Sequence, residues 1–179
     1  RTLATRLRDI AWRAERLAEE TEFGFLVEPG RRILSIGYDV RAQKLNQSCY
    51  DMLASEARIA TFLAVARGEL PQQSWFKLAR DYSHAFGTYT IISWTGTMFE
   101  YLMPSLWMRS YPHTLIARML NACVQVQQEF GRSHGIPWGI SESGSARKDD
   151  GGHYSYHAYG VPQIALFYDA TAGPVVSPY

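Results

Sequence analysis

The feature that most constrains this chain is residues 49–67, a helical run that is apolar on nearly all sides. Met52, Leu53, Ala57, Ile59, Ala60, Phe62, Leu63, Ala64 and Val65 leave it no wide polar face, so it must be surrounded by other elements rather than laid on a surface. Further helices are expected around it. Leu3, Leu7, Ile10, Ala14 and Leu17 recur at steps of four and three, with arginines and glutamates opposite, and this helix stops near Gly24. Ile116, Met119, Leu120, Cys123, Val126 and Phe130 give an apolar face over 113–130, with Gly131 placed for the C-cap. Short helices are expected over 71–80 and around Glu100, the latter broken at Pro104. The extended segments are few. Two apolar runs flanking Pro29-Gly30 within 25–39 predict a hairpin, 41–48 reads as loop, and 88–94 is a strand or an extended connection.

A run of 179 residues, 46% hydrophobic and 20% charged, is a normal composition for one globular domain. The net charge of +1 provides no field for phosphate backbones or anionic lipid, so neither nucleic acid nor membrane is an expected partner. No apolar run is long enough to span a bilayer and no signal-peptide pattern is present. Opening at Arg1, the chain is expected to be a piece of something longer. Cys49 and Cys123 sit in segments that read as helical without metal-ligand spacing, and are expected to be ordinary thiols of a reducing compartment.

Three carboxylates stand in unusual surroundings. Glu142 lies between two serines in Gly135-Ile-Pro-Trp-Gly-Ile-Ser-Glu-Ser-Gly144, a mixture with no helical or strand period. Glycine and proline shape such a loop, and Trp138 offers the flat apolar face on which sugar rings stack. Glu56 falls within the apolar stripe of its helix, with Met52, Leu53, Ile59 and Ala60 at three and four residues' distance. A carboxylate there either pairs with a buried arginine or does chemistry. Glu100, crowded by Phe99, Tyr101, Leu102 and Met103, is expected to bond to backbone or to Arg109. His153 and His157 stand four apart, as zinc ligands on a helix would, but their glycine and tyrosine neighbours argue against a helix, and no metal or cofactor is expected. Tyr154 and Tyr156 suit a sugar site better, each offering a face and a hydroxyl. Paired carboxylates with aromatic walls are what glycosidic chemistry requires.

Residues 50–58 (Tyr-Asp-Met-Leu-Ala-Ser-Glu-Ala-Arg), 94–104 (Trp-Thr-Gly-Thr-Met-Phe-Glu-Tyr-Leu-Met-Pro), 108–112 (Met-Arg-Ser-Tyr-Pro) and 137–143 (Pro-Trp-Gly-Ile-Ser-Glu-Ser) resemble the signature blocks of the glucoamylase-like domain of bacterial cyclic β-1,2-glucan synthases. The resemblance runs from about Phe25 to Tyr179, with a departure over 81–89. It implies a mainly α fold, part of an (α/α)6 barrel with one short hairpin near the N-terminus, organised as a linker helix over 1–24 and the N-terminal part of the domain over 25–179. Apolar helix faces would then lack neighbours and favour self-association.

By the same resemblance the domain cyclises linear β-1,2-glucan by retaining transglycosylation. Its catalytic carboxylates are Glu56 and Glu142, and the fragment alone is expected to be weakly active or inactive. Glu100, Arg58, Trp138, Tyr154 and Tyr156 are expected to contact substrate. The environments suit Glu56 to the acid/base role and Glu142 to that of nucleophile. The implied partners are the glucan and the other domains of the same synthase. The implied place is the cytoplasmic face of the bacterial inner membrane, without insertion by this segment. A non-catalytic glucan-binding module and a structural spacer are the competing readings.

Overall fold

The computed structural model of the chain describes residues 2–53, 55–158 and 160–167, with the side chains of 55–57, 144–147 and 157 excepted. Five α-helices and eight short strands follow in the order α1 (Leu3–Glu20), β1 (Val27–Glu28), β2 (Ile33–Leu34), β3 (Tyr38–Asp39), β4 (Lys44–Leu45), α2 (Ser55–Ala66), α3 (Gln73–Lys77), β5 (Tyr82–Ala85), β6 (Thr88–Ile91), α4 (Met98–Leu102), α5 (Leu115–His134), β7 (Ser143–Lys148) and β8 (Tyr154–His157). The strands pair antiparallel two by two, β1 with β2, β3 with β4, β5 with β6 and β7 with β8, as isolated hairpins. Helix takes 43% and strand 17% of the described residues. The fold is therefore mixed, and the expectation of a mainly helical chain with one hairpin understates its strands.

The chain separates into two compact units. One holds residues 1–49 and 60–77, the other 50–59 and 78–179. In the first, Ile33 and Leu34 of β2 are buried together with Ala64 and Leu70. The Arg67 guanidinium donates to the carbonyls of Ala18 (2.8 Å) and Glu19 (2.5 Å), which α1 leaves without helical partners at its C-terminal end. The apolar seam of α1 is uncovered among the described residues, since Leu3, Leu7, Ile10 and Leu17 are all exposed. The hairpin expected at Pro29-Gly30 forms, with Val27 opposite Leu34 and Glu28 opposite Ile33. Strand β4, which pairs Leu45 with Tyr38 and Lys44 with Asp39, falls within 41–48, where a polar loop was expected.

In the second unit the core comprises Met52, Leu53, Leu78, Ile91, Met98, Tyr101, Met119, Cys123, Val126, Phe130, Ile140 and Ile164. The long C-terminal helix extends beyond its expected end. Gly135, not Gly131, carries the left-handed C-cap (φ 64°). Gly131 lies inside α5, where a Cβ would come within 2.8 Å of the Ile136 carbonyl oxygen, so this glycine serves a close approach of the following loop. Glycine serves a second such approach at Gly96 and Gly160: a Cβ on Gly160 would lie 2.0 Å from the Gly96 carbonyl carbon. That closeness lets the Val161 amide donate to the Gly96 carbonyl at 3.0 Å.

Two further expectations are corrected. Helix α2 starts at Ser55 rather than near Cys49, which instead forms an isolated bridge with Ser35. The residues before α2 are held in a bend because the Asp51 carboxylate accepts the Leu53 amide at 2.7 Å. The loop expected over 135–144 gives way at Ser143 to a hairpin, β7 with β8, in which Ser143 pairs with His157 and Gly144 with Tyr156. Among the described residues no helix is long and apolar enough to cross a membrane.

Candidate active site

The segment from Ser93 to Leu102 organises the second unit. Its turn closes around Glu100, whose carboxylate accepts from the hydroxyls of Ser93 (3.0 Å), Thr95 (2.8 Å) and Thr97 (2.9 Å) and from the amides of Thr95 (3.2 Å) and Thr97 (3.0 Å). Thr97 in return accepts the Glu100 amide at 3.3 Å, completing a capping box at the start of α4. With 7% of its surface exposed, Glu100 is a core carboxylate bonded to backbone, as one sequence reading expects. Its lone pairs are occupied by the chain's own donors, so direct contact with substrate is not its evident use.

The shaped turn is gripped from two sides. On one, the Trp94 indole donates to Asp51 at 2.8 Å, and Arg58 donates to the Tyr101 carbonyl at 3.4 Å. Both partners flank the first turn of α2, which carries Glu56; the side chain of Glu56 lies outside the described residues. Arg58 is only 2% exposed. One of its terminal nitrogens has no hydrogen-bond partner among the described residues, and burial pulls its pKa down to about 10. It remains a cation at neutral pH, held inside the protein rather than presented to solvent.

On the other side, the strand-like approach to Glu142 is fastened to the start of α4. The Met98 amide donates to the Ile140 carbonyl (3.1 Å) and the Phe99 amide to the Ser141 hydroxyl (3.0 Å). Gln127 of α5, fully buried, closes the arrangement. Its side-chain amide donates to the carbonyls of Gly96 (3.2 Å) and Ile140 (3.1 Å) and accepts the Ile140 amide (2.8 Å). Two residues further on, Glu142 is half-buried and accepts a hydrogen bond from the Tyr156 hydroxyl across the β7–β8 hairpin.

Trp138, Tyr154 and Tyr156 keep exposed rings, and the Lys148 ammonium stands 4.9 Å from the Tyr154 ring centre. His153 precedes β8 and pairs with Asp149 at 3.4 Å. No cluster of metal-ligating side chains occurs among the described residues. Sequence reasoning overlooked the structural roles of Gln127 and Asp51. Gln127 was legible as the lone polar residue at helical spacing between Cys123 and Phe130 on an apolar face, and Thr97-x-x-Glu100 is the sequence signature of a capping box.

The model of the Glycoamylase family, described as "Putative glucoamylase", matches residues 48–179. The chain belongs to this family. The Glycoamylase match takes in both carboxylates and every residue of the Ser93–Leu102 turn. The chain is also 41% identical over 177 residues to "Cyclic beta-(1,2)-glucan synthase NdvB" of Rhizobium meliloti (strain 1021), a match that covers 99% of this chain and 6% of that relative. The Glycoamylase region thus corresponds to a small part of a much longer synthase.

Proposed function

We propose that this chain is part of the domain of a cyclic β-1,2-glucan synthase that closes linear glucan into a ring, with Glu56 and Glu142 as the reacting carboxylates. The observation that carries this reading is the Ser93–Leu102 turn, which is bonded through Trp94 and Tyr101 to the segment bearing Glu56 and through Met98 and Phe99 to the segment bearing Glu142. A rigid block between two acids is what a glycosyl-transfer site needs, because misplacement by a fraction of an ångström is costly. In the complete domain the helices form part of an (α/α)6 barrel. Its place is the cytoplasmic face of the inner membrane, where the other domains of the synthase supply the linear glucan.

One carboxylate attacks the anomeric carbon while the other, protonated, gives its proton to the departing glycosidic oxygen. The glycosyl ester then waits for a hydroxyl of the same glucan. The second carboxylate takes the proton from that hydroxyl as the new glycosidic bond forms and the ester breaks, so configuration is retained. This route calls for carboxyl groups about 5 Å apart. The Tyr156 hydroxyl donates to Glu142 and holds its carboxylate in place, which suits it to attack and leaves proton transfer to Glu56. Arg58, buried behind the first turn of α2, and Glu100, within its turn, position the acids. Trp138, Tyr154 and Tyr156 offer the sugar-facing surface.

The test is incubation of linear β-1,2-glucan with a synthase chain that contains this segment, with products weighed by mass spectrometry. Rings lighter by one water than the linear chain of equal length support the reading. Glucan bound but never rearranged would make the domain a binding module.

A further inference from the structure

The geometry points to a second carbohydrate site on the β5–β6 hairpin, a cleft that holds a stretch of neutral glucan without cutting it. The choice of glucan as ligand rests on the function proposed above. The cleft stands on its own observations. Strands β5 and β6 pair with Tyr82 opposite Ile91 and His84 opposite Tyr89, which places Tyr82, His84 and Tyr89 on one face. The rings form a continuous array, with centroids 6.1 Å apart for Tyr82 and Tyr89 and 4.5 Å apart for His84 and Tyr89. Tyr82 is nevertheless 72% exposed and Tyr89 66% exposed. Aromatic rings grouped in water are the mark of a surface that meets something.

Beside the array the hairpin meets α5 in a cleft of about 270 Å³, floored by Ile91 and Met119 and rimmed by Arg80, Arg118 and the two tyrosines. The Arg80 guanidinium donates to the Leu78 carbonyl at 2.9 Å, which fixes its direction. A hexopyranose has an apolar C–H face and an equatorial rim of hydroxyls. Tyrosine rings meet the face, and a guanidinium fork donates two parallel N–H bonds to neighbouring oxygens. The volume lies near the lower end of ligand pockets, roughly 300–1,000 Å³, so it seats one sugar while adjoining sugars run out over Tyr82 and Tyr89. Among the described residues no carboxylate lines the cleft, so it lacks the pair of acids that cutting a glycosidic bond calls for. A holding site suits a reaction whose donor and acceptor belong to one chain, because tethering raises the local concentration of the second end.

The test is calorimetric titration of a linear β-1,2-linked gluco-oligosaccharide into Glu142→Gln, which prevents turnover, and into the same variant carrying Tyr82→Ala with Tyr89→Ala, or Arg118→Ala. All three side chains are exposed, so folding is preserved and is checked by circular dichroism. At least a tenfold loss of affinity is expected for the tyrosine pair, and a several-fold loss for Arg118→Ala. Unchanged affinity in both would overturn the cleft while leaving the function proposed for Glu56 and Glu142 intact. Absence of glucan binding, or displacement of glucan by inorganic phosphate, would overturn it as well. Loss in the tyrosine variant together with failure of ring formation would keep the cleft and remove the catalytic reading.

Discussion

The side-chain amide of Gln127 pairs with the backbone of Ile140 in both directions, donating to its carbonyl at 3.1 Å and accepting its amide at 2.8 Å. A backbone stretch that leaves regular structure deep in the core must find partners somewhere, and here one glutamine stands in for a strand neighbour. Gln127→Leu keeps the bulk but strands the Ile140 amide, while the carbonyls of Ile140 and Gly96 each keep one backbone donor, from Met98 and Val161. The expected loss is roughly 1–3 kcal/mol of folding stability, the cost of one buried unpartnered group. Denaturant unfolding of the two proteins checks it, and Gln127→Glu, which exchanges donor for acceptor, should also destabilise.

The capping box at α4 gives a graded pair. Thr97→Ala removes a cap and one hydroxyl donor and should cost about 1 kcal/mol. Glu100→Ala removes the acceptor common to Ser93, Thr95 and Thr97 and should cost more, because several buried donors are orphaned together. If thermal unfolding places Glu100→Ala at or above the stability of Thr97→Ala, the carboxylate is not what shapes the turn.

Cys123 is fully enclosed, and burial pushes its thiol from 9.0 up to about 12. A folded-state pKa above the unfolded one means that the unfolded chain loses its proton first. The contribution is therefore fully present below pH 9.0 and lost progressively as pH rises toward about 12. Tyr101, whose buried hydroxyl is also shifted upward by burial, acts in the same direction. Stability measured by urea unfolding should fall as pH rises past 9, less steeply in Cys123→Ala, and a thiol reagent at pH 8 should label Cys49 well before Cys123.

Much of the fold can be read from the chain because its long helices declare themselves by period, whereas its strands are too short to do so. Leu3–Glu20 and most of Leu115–His134 follow from apolar spacing, but a two-residue pairing such as Tyr38–Asp39 with Lys44–Leu45 leaves no alternation to detect. The Gly131 expectation fails for a physical reason: glycine ends helices by adopting positive φ, and it also permits backbones to touch, and spacing alone does not tell the two uses apart. Glu142 stood out because no period explained its loop. The contacts that hold it, from Gln127 and from the start of α4, join residues far apart in sequence and become visible only in the fold.

The hydrogen bond from Tyr156 to Glu142 carries a kinetic consequence. Removing this donor leaves the carboxylate less firmly oriented, so Tyr156→Phe in the active synthase should lower kcat several-fold, roughly what one positioning hydrogen bond contributes. Tyr156 is largely exposed, which keeps the effect modest. An unaltered kcat would separate the tyrosine from the positioning of Glu142.

The most direct measurement is azide rescue of Glu56→Ala and Glu142→Ala in a synthase chain containing this segment, acting on an activated β-glucoside. Both variants should lose roughly a thousandfold or more in turnover, as the removal of an acid, base or nucleophile does. With azide, Glu56→Ala should yield the β-glucosyl azide of retained configuration and Glu142→Ala the inverted α-azide. Near wild-type turnover in either variant would take that residue out of the mechanism and contradict the pairing of these two carboxylates.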